Sequence, residues 1–131
     1  MMWTADYIGK PFADGGRGPG SYDCWGLIFS VYRDRLGIDL PAYGEISAAD
    51  ILRIRREIST RVGDDIWDRV QHPQEFDVAV MRLPTGKAHG HVGVMVNSRC
   101  VMHVERASHV AIERIDGVTI RNRILGFYRH V

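Results

Sequence analysis

The sequence DCWGLIFSV, which spans residues 23–31, predicts a short amphipathic helix. Its apolar residues recur at intervals of three and four, which gives a helix one continuous apolar face. These residues are Cys24, Leu27, Ile28 and Val31. Asp23 is a favourable N-cap residue just before the apolar series, and Gly37 supplies a stop after it. The pattern therefore predicts both the start and the end of the helix.

The rest of the chain predicts a second helix and then a series of strands. Residues 48–62 repeat apolar residues at helical intervals, and Ser47 with Asp50 forms a start that resembles a capping box. Beyond Pro73 come five short runs rich in Val, Ile and aromatic residues. These runs are 77–82, 91–96, 100–105, 110–115 and 124–130. Helices followed by a strand meander predict an α+β fold, with N-terminal helices packed on a C-terminal antiparallel β-sheet of about five strands.

Length and composition predict one domain over residues 1–131. Hydrophobic residues make up 45% of the chain and charged residues 25%, which is ordinary for a globular protein. Seventeen Lys and Arg against sixteen Asp and Glu leave a net charge of +1, so charge gives no argument for a nucleic-acid partner. No apolar run approaches the roughly 20 residues of a membrane span. The first twenty residues lack the pattern of a secretory signal.

Cys24 is the first candidate for chemistry. If Asp23 caps the helix, Cys24 occupies the first helical position, where unpaired N–H groups and the helix dipole favour an anion. This environment lowers the pKa of a thiol from about 8.5 toward neutrality and makes the sulfur a better nucleophile. The alternative is that Cys24 is a small buried hydrophobic residue, because it shares the apolar face with Leu27. The sequence leaves both interpretations open.

Two histidines on neighbouring predicted strands are candidates for the base that a cysteine nucleophile needs. His91 and Gly93 share one face of their strand, and His103 lies in the next strand. A hairpin loop with an odd number of residues, centred near Asn97, places the two imidazoles opposite each other on one face, whereas a two-residue turn there separates them. Gly93 leaves room on this face, where we expect the helix of Cys24 to pack.

Three histidines also suggest a metal site. His89, His91 and His103 form a plausible zinc set, since two of them are two residues apart on a strand. This interpretation leaves the position of Cys24 unexplained and lacks a clear general-base carboxylate. We therefore expect no metal and no cofactor.

Taken together, these motifs resemble the NlpC/P60 family of cysteine peptidases. The motifs are Asp23-Cys24-Trp25-Gly26-Leu27, Gly9-Lys10-Pro11-Phe12 with Gly15-Gly16, His91-Val92-Gly93-Val94, and His103. The resemblance implies a papain-like α+β fold and cleavage of peptidoglycan stem peptides, commonly between D-γ-glutamate and diaminopimelate. It implies that Cys24 is the nucleophile, His91 the general base and His103 the residue that orients His91. Cys24 and His91 are then expected to rest partly as a thiolate–imidazolium pair.

The same resemblance implies that Asp23, Trp25 and Phe12 lie on the substrate side. Asp23 caps the helix and is also expected to meet a substrate ammonium. Trp25 stands where the family usually has a serine that helps to bind the substrate amine. Phe12 stands where the family usually has a tyrosine, so the backbone N–H of Cys24 is left to serve the developing oxyanion.

A tryptophan directly after the cysteine and the ending Gly126-Phe127-Tyr128-Arg129 resemble the subset of this family found in tailed phages and prophages, such as lambda-type tail assembly proteins. This implies a chain that is made in the bacterial cytoplasm without a signal peptide, joins neighbouring tail-tip proteins in the virion and acts on the cell wall in the periplasm. The alternative is a catalytically silent plug or connector of the tail tip. Retention of Cys24, His91 and His103 favours the enzyme.

Overall fold

The computed structural model describes residues 3–40, 67–82 and 90–130 of the chain. A short 3-10 helix, Trp3–Asp6, precedes one α-helix and six strands. These elements are α1 (Cys24–Val31), β1 (Trp67–Val70), β2 (Val78–Arg82), β3 (Gly90–Met95), β4 (Cys100–His103), β5 (Ala111–Arg114) and β6 (Ile124–His130). Among these residues, no helix has the length and apolar character needed to cross a membrane.

Helix α1 begins and ends where local sequence signals place its boundaries. The Asp23 side chain accepts a hydrogen bond from the Gly26 N–H at 2.6 Å, which caps the first turn. The helix continues into one π-helical turn, Tyr32–Leu36, and stops at Gly37, whose φ of 66° is left-handed. Both predicted boundaries are confirmed. The second predicted helix, 48–62, lies outside the described residues.

The sheet is antiparallel throughout and has the order β1-β6-β2-β3-β4-β5. An α+β fold with an antiparallel sheet is therefore confirmed, with six strands where about five were predicted. Strand β1 was missed because it has only four residues, and two of them, Asp68 and Arg69, are exposed. A second correction concerns β6, which returns to lie between β1 and β2 instead of extending the meander. Four of the five residues of β2 are buried, so this strand needs a partner on both edges.

The two faces of the sheet carry separate apolar clusters. Helix α1 packs on the face that bears Val92 and Val94 of β3. The opposite face carries a smaller cluster made by Ala79, Met81, Met95, Val101 and Ile120. The expectation that α1 covers Gly93 is therefore wrong. A Cβ built on Gly93 would instead lie 2.6 Å from Cγ2 of Val101, so it is a side chain of β4 that approaches this glycine.

Of the two alternatives for the β3–β4 hairpin, the structure has the odd loop, but with a shifted centre. Three residues, 97–99, separate Val96 from Cys100, and the Val96 N–H donates to the Cys100 carbonyl at 2.9 Å. The Asn97 side chain accepts the N–H groups of Arg99 and Cys100 at 2.8 and 2.9 Å, which closes the turn. The loop is thus centred on the residue after Asn97.

This shift changes which residues face each other across the hairpin. Val94 is paired with Met102, so continuing the register places Gly93 opposite His103. His91 lies two residues further along β3 on the same face as His103. The two histidines share a face, as the odd-loop alternative requires, but they are diagonal neighbours and not the direct partners that this alternative made them.

Candidate active site

Cys24 is the first residue of α1 and is 1% exposed. Burial raises the pKa of its thiol well above the ordinary value, and the charge of Asp23 raises it further. Hydrogen bonds from the backbone of Val92 and Trp25, together with the charge of Arg17, lower the pKa but do not offset burial. The expected fall toward neutrality is therefore wrong for this structure, because desolvation outweighs the helix N-terminus. The thiol is protonated at neutral pH.

His91 lies in β3 opposite Met81 of β2 and is 3% exposed. Burial lowers the pKa of this imidazole well below its usual 6.5, and repulsion from His103, when that ring is protonated, and from Arg123 lowers it further. His91 is therefore neutral at neutral pH. The expected thiolate–imidazolium pair at rest is corrected to a neutral thiol and a neutral imidazole.

The two histidines are in direct contact. Nε2 of His91 lies 2.9 Å from Nδ1 of His103, and the two rings meet edge to face at an interplanar angle of 68°. The Cys24 thiol reaches the same strand through the backbone of Val92, the residue after His91. Within the described ranges, no hydrogen bond joins this thiol to the His91 side chain. The structure thus joins His91 to His103 and places the thiol of Cys24 next to the strand that carries His91 and Val92.

Two glutamates that sequence analysis did not propose lie beside this pair. Oε2 of Glu113 in β5 lies 2.6 Å from Nε2 of His103. Oε1 of Glu105 lies 3.6 Å from Nδ1 of His103 and 2.6 Å from Nη1 of Arg123. Glu105 follows His103 by two residues and so lies on the same face, and this spacing could have predicted its position beside His103. Glu113 and Arg123 come from other elements, and no local pattern pointed to them.

Three of these side chains have metal-ligating atoms close together. The ligand atoms of His91, His103 and Glu105 all lie within 4.8 Å of one another. However, the two imidazoles hydrogen-bond each other, and Arg123 occupies the Glu105 oxygen that faces them. A cation here would have to displace both interactions. The zinc set considered from the sequence includes His89, which lies outside the described residues.

A cavity of about 560 Å³ opens next to His103 on the side of β5. It is lined by both glutamates and by residues of the β5–β6 connection. Its lining residues are His103, Glu105, Ser108, His109, Ala111, Glu113, Val118, Thr119 and Arg123. The far side of the His103 imidazole therefore borders an open space.

A protein-family model matches most of the chain. The sequence model of the NlpC/P60 family matches residues 9–129. The chain belongs to the NlpC/P60 family. No curated protein sequence matches it significantly.

Solved NlpC/P60 structures share the fold. A Staphylococcus aureus protein described as similar to lipoprotein, NLP/P60 family, has a TM-score of 0.65 and 21% identity, over 95% of this chain and 38% of its own. The NlpC/p60 domain of peptidoglycan hydrolase SagA has a TM-score of 0.65 and 18% identity, and the match covers 96% of this chain and 92% of the SagA domain. An NlpC/P60 family protein from Bacillus cereus has a TM-score of 0.68 and 21% identity, and the match covers 95% of this chain and 36% of that protein. This chain thus spans less than half of the first and third proteins. At these identities the likeness establishes the papain-like α+β fold.

The three residues expected on the substrate side of this NlpC/P60 domain differ in exposure. Asp23 is buried, and its Oδ1 accepts from the Gly26 N–H at 2.6 Å and from Nη1 of Arg17 at 2.8 Å. The Trp25 side chain is 0% exposed, so its ring has no surface through which to touch a substrate in this conformation. Phe12 is half-buried, with the Arg106 guanidinium 5.8 Å from its ring centroid. Of the three side chains, Phe12 alone has appreciable exposed surface.

The glycine-rich loop before the cysteine packs against the first turn of α1. The Gly16 carbonyl accepts from the Asp23 N–H at 3.1 Å. A Cβ on Gly26 would lie 1.8 Å from that same carbonyl oxygen. The glycine that follows Trp25 is therefore required by the close approach of the loop, and the loop in turn holds the N-cap that positions Cys24.

Proposed function

We propose that this NlpC/P60 chain is a cysteine peptidase that cleaves peptidoglycan stem peptides at the D-γ-glutamyl–diaminopimelate bond. Cys24 is the nucleophile, His91 the general base and His103 the positioning residue. Family membership supports the reaction class, and the NlpC/P60 domain of similar fold from SagA belongs to a protein named as a peptidoglycan hydrolase. The chain uses no metal or cofactor in this proposal.

One observation carries the proposal: the buried contact of 2.9 Å between Nε2 of His91 and Nδ1 of His103. Two imidazoles that are 3% and 4% exposed are held together beside the strand residue that contacts the Cys24 thiol. A base oriented by a second polar group is the arrangement that activates a cysteine or serine nucleophile. Burying two polar imidazoles costs free energy, and a sheet with a purely structural role has no need of them in its interior.

The reaction begins from neutral groups. The Cys24 sulfur attacks the carbonyl carbon of the scissile amide while His91 accepts the thiol proton, and the carbonyl oxygen becomes an oxyanion beside the N–H groups at the start of α1. His91 then gives this proton to the leaving amine nitrogen as the C–N bond breaks, which leaves a thioester. Water attacks the thioester with His91 as base, and the protonated thiol and a carboxylic acid product are released. The mechanism requires the thiol and the His91 imidazole to come within hydrogen-bond distance in the substrate complex, where catalytic hydrogen bonds often tighten.

The test is hydrolysis of defined substrates by the purified full chain. Stem peptides with and without the D-γ-glutamyl–diaminopimelate bond, and whole sacculi, are incubated with the native protein and with Cys24→Ala, and the products are identified by mass spectrometry. We expect fragments from cleavage at that bond with the native protein and none with Cys24→Ala. His72→Ala is a matched control because His72 is exposed and outside the site, and we expect full activity from it. Equal products from native and Cys24→Ala proteins would overturn the assignment of the nucleophile.

A catalytically silent structural component is the second candidate. It is favoured by the burial of Cys24 and by the raised pKa of its thiol. Under this alternative, the folded native protein releases no fragments from any stem peptide or sacculus preparation. Thermal unfolding of the same sample separates this outcome from a failure to fold.

We also propose that the chain is carried at a phage or prophage tail tip, in contact with neighbouring tail proteins. The support is the sequence resemblance at Trp25 and at residues 126–129. The test is mass spectrometry of purified phage particles, with cross-linking to identify neighbours. Its presence in tailed particles at a constant ratio to tail-tip proteins is expected, and its absence from intact particles would overturn this location.

A further inference from the structure

His103 has a second hydrogen-bond partner on the side away from His91. Its Nδ1 faces Nε2 of His91, and its Nε2 lies 2.6 Å from Oε2 of Glu113 in β5. The other carboxylate oxygen of Glu113, Oε1, accepts from the Thr119 hydroxyl at 2.8 Å. Four side chains therefore form one continuous chain of hydrogen bonds that begins at His91 and ends at Thr119.

Glu113 is ionised at neutral pH. Partial burial raises the pKa of its carboxyl group, but hydrogen bonds from Thr119 and His103 and the charge of Arg123 lower it more, so that the pKa lies below its ordinary value. An ionised carboxylate accepts hydrogen bonds and donates none. The proton in the contact of 2.6 Å must therefore belong to Nε2 of His103.

The proton on Nε2 of His103 determines where the next proton lies in this series of hydrogen bonds. In its neutral form an imidazole carries one N–H, so a neutral His103 with its proton on Nε2 has a bare Nδ1 that can only accept. The contact of 2.9 Å then requires His91 to donate from its own Nε2. His91 is neutral because of its burial, so its Nδ1 carries no proton.

We infer that Glu113 is a positioning residue that, in the neutral form of this histidine pair, fixes the tautomers of both rings and leaves Nδ1 of His91 as the basic nitrogen. The catalytic meaning of this inference rests on the proposed function, because a bare Nδ1 is what must accept the Cys24 proton. The tautomer assignment itself does not depend on any activity. An imidazole held in the wrong tautomer cannot act as base at the required atom.

Glu105 does not supply this constraint, although it is closer in sequence. Its Oε1 lies 3.8 Å from Nε2 of His91 and 3.6 Å from Nδ1 of His103, too far for hydrogen bonds. Arg123 lies 2.6 Å from the same oxygen and balances its charge. The titratable or charged groups near His91 are thus His103, Glu105 and Arg123. None of them fixes the position of a ring proton as Glu113 does.

The test is a long-range ¹H–¹⁵N correlation spectrum of the full chain labelled at histidine, at neutral pH. Unprotonated and protonated ring nitrogens give distinct ¹⁵N resonances, so each tautomer is observed directly. We expect His91 and His103 of the native protein both to be protonated at Nε2 and bare at Nδ1. A proton on Nδ1 of His91 in the native protein would overturn the inference.

Glu113→Ala removes the acceptor, and we expect the single tautomer of both histidines to be lost. Glu113→Gln keeps the size of the side chain and serves if the alanine variant does not fold. It is expected to give the same loss, because an amide both donates and accepts. Asp116→Ala, in the exposed turn after β5, is the matched carboxylate control and should leave both tautomers unchanged. Retention of the native tautomers in both Glu113 variants would also refute the inference.

Kinetics on a cleaved stem peptide add a second readout. We expect Glu113→Gln to lower kcat by about 10- to 100-fold with little change in KM, as for residues that orient a group in direct contact with the reaction. An unchanged kcat in a variant whose tautomers have changed would overturn the positioning role. If the native protein shows the expected tautomers but cleaves nothing, the proposed function fails while the tautomer assignment stands.

Discussion

His91 and His103 are hydrogen-bonded across β3 and β4, although neither is the direct cross-strand partner of the other. Their ring nitrogens lie 2.9 Å apart, while the strand register places Gly93 opposite His103. An imidazole is long enough to bridge the diagonal between two strands, provided that the intervening position has no side chain. A Cβ on Gly93 would lie 3.0 Å from Cβ of His103 and 2.6 Å from Cγ2 of Val101. Gly93 therefore supports the histidine pair through the absence of a side chain.

Gly93→Ala should both destabilise the protein and misplace His103. The added methyl group must displace Val101 or His103, and overpacking of this kind costs about 1–3 kcal/mol in the free energy of unfolding. Denaturant unfolding measures this cost, and the rate of stem-peptide cleavage should fall with it. The double variant Gly93→Ala/Val101→Ala removes the closest contact and should be more stable than the sum of the two single effects. Strict additivity would contradict the proposed clash.

Gly26→Ala should be more destabilising, because the added Cβ would lie 1.8 Å from a backbone carbonyl oxygen, that of Gly16. A backbone atom cannot rotate away as a side chain can, so the loop or the helix start must shift. We expect a loss of more than about 2 kcal/mol in denaturant unfolding. Gly20→Ala is the matched control, because a Cβ on Gly20 meets nothing within 4 Å. Equal stability of the two variants would show that the loop does not pack on α1 in this way.

Stability should decrease as the pH falls below about 6.5, the unperturbed pKa of histidine. The pKa of folded His91 is well below this value because of burial, so the unfolded chain binds a proton at a higher pH than the folded chain does. His91 therefore lowers the free energy of unfolding very little above about pH 6.5. The free energy of unfolding decreases as the pH falls from there toward the pKa of folded His91. Thermal unfolding across this range measures the loss.

An NMR titration of the His91 ring protons tests the same pKa directly. The imidazole should remain neutral well below pH 6.5, because burial lowers its pKa. Titration of His91 at or above pH 6.5 would contradict its buried environment. In activity measurements, the acid limb of kcat/KM should likewise fall at a pH below 6.5, because the proposed mechanism needs neutral His91 in the free protein.

Cys100 should react with iodoacetamide faster than Cys24 in the free folded protein. Cys24 is buried with a raised thiol pKa, whereas Cys100 is half-buried at the start of β4. Alkylation requires both access and the thiolate, and Cys24 lacks both in this conformation. Timed labelling at neutral pH followed by peptide mass spectrometry measures the two rates. Faster labelling of Cys24 would show that the free protein samples an open site with a more acidic thiol.

Several features of the site were predictable because their causes are local. The Asp23 cap bonds to Gly26 only three residues away, and Gly37 ends the helix through its own backbone conformation. The alternation of side chains along a strand placed His91 and His103 on one face once the loop was known to be odd. Strand β6 was predicted with its observed limits, 124–130, because its pattern has clear turn signals before it.

Other features were not predictable because they depend on residues that are distant in sequence. The position of β6 next to β2 follows from the need of a buried strand for two partners, and no signal within β6 encodes it. Glu113 reaches His103 across the β4–β5 pair, where its direct partner is Val101. A one-residue shift in the hairpin centre likewise made the histidines diagonal neighbours, because Asn97 closes the turn through the N–H groups that follow it.

The sequence by itself determined where the helix begins and which residues carry thiol and imidazole groups, since hydrogen bonds within a few residues decide the helix start. Whether the two histidines share a face depended on the length of the β3–β4 loop, which the structure supplied. Only the tertiary structure decided the protonation of Cys24 and His91. The helix start favours a thiolate, but packing of α1 on the sheet buries Cys24, and this desolvation exceeds the local effect. Burial likewise keeps His91 neutral. The solvation of a charged group depends on everything packed around it, and most of those neighbours are distant in the chain.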